Sequence, residues 1–261
     1  MKQRIITAIL ALILFVPFVI YGEWPFTIFV YFLATIGLFE LIKMRNMNFF
    51  ALPSILTFAM LWILLSQFTD DVIPGVMLSK LEVIMIFALV LLMFTVLLKN
   101  KFTFDDVGFL MLAMIYVGMG FYYLIQTRGA GLDYIIYVLF VIWATDTGAY
   151  FVGRSMGKKK LWPKISPNKT VEGALGGILA ACVVGVVFQV VYPFEHSMTI
   201  VILVTVLVSI FGQMGDLVES AFKRHYGVKD SGNILPGHGG ILDRLDSLLF
   251  VLPLLHFIHF I

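Results

Sequence analysis

Runs of about twenty apolar residues recur along most of this chain and limit what it can fold into. One helix needs roughly 20 such residues to cross the hydrocarbon of a bilayer. Of 261 residues, 61% are hydrophobic and 13% charged, with a mean hydropathy of +1.00. A soluble domain cannot bury that much apolar surface, so the composition excludes one. A membrane β-barrel is excluded too, because the runs are continuous rather than alternating. The expectation is an all-α polytopic membrane protein, with residues 1–261 forming a single integral membrane domain.

The runs predict about nine spans. The first follows Lys2 and Arg4 and reaches about Tyr21. It is long and lacks a small-residue cleavage site, so it reads as a span rather than a signal peptide. The second covers about Pro25 to Ile42, with Glu40 near its inner end, where it could reach the interface. The third covers about Phe49 to Gln67, and the loop after it holds Asp70, Asp71, Pro74, Gly75 and Lys80. The fourth covers about Val83 to Leu98. The fifth, about Val107 to Ile125, carries Gly108, Gly118 and Gly120, which would let helices approach closely. The sixth covers about Asp133 to Val152, the seventh about Ala174 to Tyr192, the eighth about Met198 to Gln213, and the ninth runs from about Leu248.

With the N-terminus inside, sixteen of the 18 Lys and Arg fall on the inner side and only Lys80 and Arg128 outside. Cytoplasmic loops carry this excess. The pattern predicts a cytoplasmic N-terminus, an external C-terminus and two polar loops, 153–172 and 216–247, facing the cytoplasm. The net charge of +2 gives no case for nucleic acid. The single cysteine, Cys182, cannot form an internal disulfide.

Chemistry-bearing residues concentrate in 143–173 and 213–247. Asp146 lies within the sixth span, where a carboxylate is costly. It calls for a polar cavity or a cation, or else a packing hydrogen bond to a neighbouring Thr or Tyr. Asp216 and Glu219 are three apart, as are Asp243 and Asp246. On helices each pair would share a face. Hard oxygen ligands beside cations suit Mg²⁺ with phosphate; ordinary salt bridging, such as Glu219 with Lys223, is the alternative. Pro236-Gly237-His238-Gly239-Gly240 is a loop by composition. Its glycines either aim N–H groups at an anion or simply make turns. Lys160, Lys164, Lys169, Lys223, Arg224, Lys229 and Arg244 suit a clamp on polyphosphate, as well as serving topology. His196, His225, His256 and His259 share no pattern, so a structural zinc site is not expected.

The run from Ser220 to Arg224, then Lys229-Asp230, then Leu235 to Asp246, resembles the signature of the phosphatidate cytidylyltransferases, or CDP-diacylglycerol synthases. Thr145-Asp146-Thr147-Gly148-Ala149-Tyr150 and Ser166-Pro167-Asn168-Lys169-Thr170-Val171-Glu172-Gly173 also resemble that family's motifs. The likeness covers the C-terminal half well; the N-terminal half matches only in length and hydropathy. In size the chain is similar to bacterial members. The resemblance implies transfer of CMP from CTP to phosphatidic acid, giving CDP-diacylglycerol and pyrophosphate in phospholipid biosynthesis. It also implies a multi-pass plasma-membrane enzyme with a cytoplasm-facing polar funnel, Mg²⁺ and a second cation (K⁺ or Mg²⁺), and a homodimer. Asp216 and Asp246 would bind metal, with Asp243 as helper. Lys223, Arg224, Lys229 and Arg244 would hold phosphate. His238, Gly239 and Gly240 would shape a phosphate loop. Asp146, Ser166, Asn168, Lys169, Thr170 and Ser220 would line the substrate cavity.

Two rivals remain at the level of sequence. A CTP-dependent polyprenol or phytol kinase would also want Mg²⁺ and basic loops at a bilayer. A cation-coupled transporter would explain Asp146 and glycine-broken spans, but the polar residues gather at one surface and no inverted repeat is visible.

Overall fold

A computed structural model describes residues 2–66 and 79–261. Gln67, Asp70, Asp71, Pro74 and Gly75 lie outside the described residues. In chain order the elements are α1 (Lys2–Tyr21), α2 (Glu23–Met44), α3 (Leu52–Leu65), α4 (Lys80–Leu97), α5 (Phe104–Ala130), α6 (Leu132–Met156), β1 (Lys160–Trp162), β2 (Ser166–Thr170), α7 (Val171–Val191), α8 (Met198–His225) and α9 (Leu242–Phe257). Six of these helices, α2 and α4 to α8, are long and apolar enough to cross a membrane. The chain is a polytopic membrane protein. On α4 the division of faces is plain: Val96 is 77% exposed, whereas Leu91 is fully buried.

Helix α5 runs through the middle, packed on α2, α3, α4, α6 and α9. Small residues set how closely it is approached. A Cβ on Gly118 would stand 2.7 Å from Leu64, and one on Gly120 would stand 2.9 Å from the Leu249 backbone. Gly108, expected to act likewise, faces open space. The tightest crossing is elsewhere, between α6 and α7. A Cβ on Gly148 would meet the Gly176 carbonyl oxygen at 2.8 Å and the Ala180 Cβ at 2.6 Å. Hydrogen bonds tie α6 to α8: Tyr137 to Thr205 at 2.7 Å and Thr145 to Ser209 at 2.9 Å. Such bonds add to packing where water cannot compete.

The structure corrects the sequence expectation at several helix ends. Helix α6 continues four residues past Val152, and α8 continues twelve past Gln213, so Asp216 to Arg224 are helical rather than loop. Helix α9 begins at Leu242, so Asp243, Arg244 and Asp246 are helical too. Hydropathy marks membrane depth; it does not mark where hydrogen bonding along a helix stops. The fold is also not purely helical. Within the basic loop, β1 and β2 form an antiparallel hairpin, with Lys160 opposite Thr170 and Trp162 opposite Ser166. Glu172 accepts the Lys158 and Lys159 amides at 3.0 and 3.2 Å, holding the hairpin against α7. Thr170, buried, caps α7 by accepting from the Gly173 amide at 3.1 Å.

Candidate active site

The C-terminal ends of α6 and α8 and the N-terminal ends of α7 and α9 meet at one end of the bundle, beneath the hairpin. Between α6, α7, α8 and the hairpin lies a cleft of about 500 Å³. It brings together five residues expected from sequence: Asp146, Asn168, Lys169, Thr170 and Asp216. Tyr150, Arg154 and Gln213 line it as well. Neither Arg154 nor Gln213 is a candidate site residue by sequence; Gln213 only marks the end of the eighth span. A larger groove of about 1060 Å³ runs along the lipid-facing side of α6 and α7. It is lined by side chains such as Phe140, Trp143 and Val187, and it ends at Thr147, next to Asp146.

Asp216 receives the Lys169 ammonium at 2.6 Å and the Ser220 hydroxyl at 3.3 Å. Among the described residues Asp246 accepts only the neighbouring Ser247 amide, at 2.7 Å. Asp146 has no hydrogen bond or ion pair among the described residues; its neighbour Thr145, not Asp146, makes the packing hydrogen bond. The three carboxylates lie within reach of one another's charge. Lys169, Lys223 and Arg244 all act on these acids, but only Asp216 has an ion pair among the described residues, so the donor set suits a hard cation. No three His, Cys, Asp or Glu among the described residues are arranged to enclose a metal by themselves. That fits Mg²⁺, which usually takes one or two carboxylates and completes its shell with phosphate and water.

The two i,i+3 acid pairs do not act as pairs. Gly215 packs on the α9 backbone, where a Cβ would stand 2.7 Å from the Asp246 carbonyl. This register sets Asp216 near Asp246, and Glu219 near Asp243 one turn away. Lys223 bridges the second couple: it contacts Glu219 and reaches Asp243 at 2.6 Å. Its side chain is 11% exposed, against 0% for Glu219 and 5% for Asp243. Lys223, expected on phosphate, is therefore committed inside the protein.

Asp243, expected as a metal helper, is also committed. Besides Lys223 it accepts the Ser231 amide at 2.7 Å, the Gly240 amide at 2.8 Å and lies 2.9 Å from the Ser231 hydroxyl. The amides of Ile241 and Leu242 go to Glu40 on α2, at 2.8 and 3.0 Å. The anions cradled by this loop are thus two of the protein's own carboxylates. Leu235 to His238 is a Pro-Gly turn closed by the His238 amide on the Leu235 carbonyl at 2.8 Å. Gly237 at φ 79° and Gly239 at φ 86° adopt the left-handed conformation such a turn favours. The His238 side-chain Nδ1 is buried without a hydrogen-bond partner among the described residues. Glu40, expected near the interface, is 1% exposed.

Two arginines are half-anchored. Arg244 Nε donates to the His238 carbonyl at 3.1 Å, and Arg224 Nε to the Ile165 carbonyl at 3.2 Å. Their terminal nitrogens make no hydrogen bond among the described residues. Lys229 is exposed, also without a partner there. Ser166 sits on the hairpin opposite Trp162, outside the cleft lining.

Comparison with known proteins identifies the family. The family model of the Cytidylyltransferase family matches residues 2–261. A phosphatidate cytidylyltransferase of Bacillus subtilis (strain 168) is 54% identical over 263 residues, covering 99% of this chain and 97% of its own. One from Staphylococcus haemolyticus is 49% identical over 257 residues, covering 98% of each chain. One from Staphylococcus aureus (strain COL) is 47% identical over the same span and coverage. The N-terminal helices, which carry no recognisable motif, thus share the likeness with the signature-bearing half, and the chain belongs to the cytidylyltransferase family.

Proposed function

We propose that the protein is a phosphatidate cytidylyltransferase, joining CTP to phosphatidic acid to give CDP-diacylglycerol and pyrophosphate. The observation that carries this reading is the polar cleft that holds Asp146, Asp216 and Lys169, with Asp246 within reach of both aspartates' charge, beside a lipid-facing groove. An anionic phosphate oxygen of the lipid attacks the α-phosphorus of CTP. The bond from that phosphorus to the bridging oxygen breaks, and pyrophosphate leaves with the electron pair. Phosphatidate is already anionic, so no strong general base is needed. The site's task is charge neutralisation and in-line alignment.

Asp216 and Asp246 would hold Mg²⁺, with Asp146 facing the same charge; when bound, the ion would supply positive charge to the triphosphate. Lys169 serves the cleft as a second positive centre. Arg224 and Arg244 each keep two terminal nitrogens for bidentate contact with phosphate. Asn168 offers an uncharged donor and acceptor to the nucleotide. The acyl chains stay in hydrocarbon. The distribution of Lys and Arg supports nine crossings, a cytoplasmic N-terminus and a site on the cytoplasmic side.

Label position separates this reading from a lipid kinase. With CTP labelled at the α-phosphorus, label is expected in the lipid product; with the γ-phosphorus labelled, it is expected in pyrophosphate. Transfer of the γ label to lipid would overturn the assignment in favour of a kinase.

A further inference from the structure

We propose that Glu40 is a positioning residue for cytidylyl transfer: from α2 it fixes the start of α9, and thereby where Asp246 and Arg244 stand. The inference rests on the functional reading above. Glu40 is 1% exposed and touches no cation among the described residues. Its partners are the amides of Ile241, the residue that caps α9, and Leu242, the first of α9, and the hydroxyl of Ser231, the last at 2.8 Å. Amides at a helix N-terminus carry partial positive charge, which favours a carboxylate there.

The arrangement is shared with Asp243. The Ser231 hydroxyl lies within hydrogen-bond distance of both carboxylates, and its single proton serves one at a time. Room for Glu40 is made by glycine: a Cβ on Gly232 would stand 2.6 Å from its Oε1, and one on Gly240 would collide with it as well. From the other side, the Thr7 hydroxyl on α1 donates to the Pro236 carbonyl at 2.9 Å. The loop carrying the signature is therefore held by α1 and α2, which bear none of the signature themselves. Leu242, which Glu40 holds by its amide, is one turn from Asp246. A shift of about 1 Å at a reacting centre can lower turnover about 100-fold.

The test is Glu40→Gln in the full-length protein in detergent. Glutamine keeps the volume, but turns an amide donor toward donors. Hydrogen exchange should rise at residues 231–242 and not in α6 or α7. The kcat should fall about tenfold or more, and the Mg²⁺ concentration for half-maximal rate should rise, with KM for phosphatidate unchanged. If Glu40→Gln does not fold, Gly232→Ala, which crowds the same carboxylate, carries the same readouts. Wild-type kcat and Mg²⁺ midpoint in a folded variant would overturn the proposal. So would a loss of protection spread evenly over all helices, since that is a stability effect alone. Hydrogen exchange needs no substrate, so it tests the Glu40 brace even if the wild type proved inactive on phosphatidate, a result that would instead overturn the functional reading.

Discussion

Lys223 sits between Glu219 and Asp243, and all three side chains are almost wholly enclosed. Its removal would strand two buried carboxylates. Breaking a buried pair on one side costs about 3–5 kcal/mol, so Lys223→Met should lower thermal stability sharply. A phosphate ligand would behave differently, keeping the melting temperature and raising KM for CTP; that pattern would contradict the bridge. At Asp216 and Asp246 the expectation reverses. Neither carboxylate holds a neighbouring helix in place, so Asp216→Asn and Asp246→Asn should fold normally and lose turnover by about 100-fold or more. Near-normal rates in either would remove the metal assignment. The sequence offers the Glu219–Lys223 bridge as an alternative, and the structure contains it, but the share of Asp243 in it and the approach of Asp216 to Asp246 are not visible there. Pairing depends on the register of α8 against α9, which Gly215 sets. The partner of the loop amides was less accessible still: Glu40 lies 201 residues from Ile241, and no local spacing could signal it.

Among the elements, the α6–α7 crossing matters most, because both helices contribute walls of the cleft. Gly148→Val would press on Gly176 and Ala180. Overpacking of this kind costs about 1–3 kcal/mol, and activity should fall with it, read as a lower melting temperature together with a lower kcat. Lys80 and Arg128, the two cations that the charge distribution leaves outside, have a structural use that topology counting does not reveal. Lys80 donates to the Ser66 and Leu64 carbonyls at the end of α3, at 2.5 and 3.3 Å. Arg128 donates to Val19 and Ile20 at the end of α1, at 2.5 and 2.9 Å. Each satisfies carbonyls left open by a finishing helix, where positive charge is favourable. Lys80→Met should therefore lower thermal stability while leaving kcat unchanged; a changed kcat with an unchanged melting temperature would contradict this. The apolar cores of these helices were legible from hydropathy. Their ends were not, because α6, α8 and α9 carry polar residues without losing helical hydrogen bonding.

For the whole molecule, the helix directions gather the polar ends of α2, α5, α6, α7, α8 and α9 on one side, with Arg45 paired to Asp106 there at 2.7 Å. The opposite side holds Lys80, Arg128 and the Thr127–His256 hydrogen bond. In a Cys182→Ser background, a cysteine at exposed Glu195 should react with an impermeant reagent in intact cells. One at exposed Lys229 should react only after permeabilisation. The central claim, a Mg²⁺-dependent transfer of CMP to phosphatidate, is tested most directly by incubating purified protein with CTP and phosphatidate, with Mg²⁺ present and then chelated. CDP-diacylglycerol and pyrophosphate in equal amounts, formed only with Mg²⁺ present, are the predicted result. Folded protein that yields neither product, or that yields both after chelation, would contradict it.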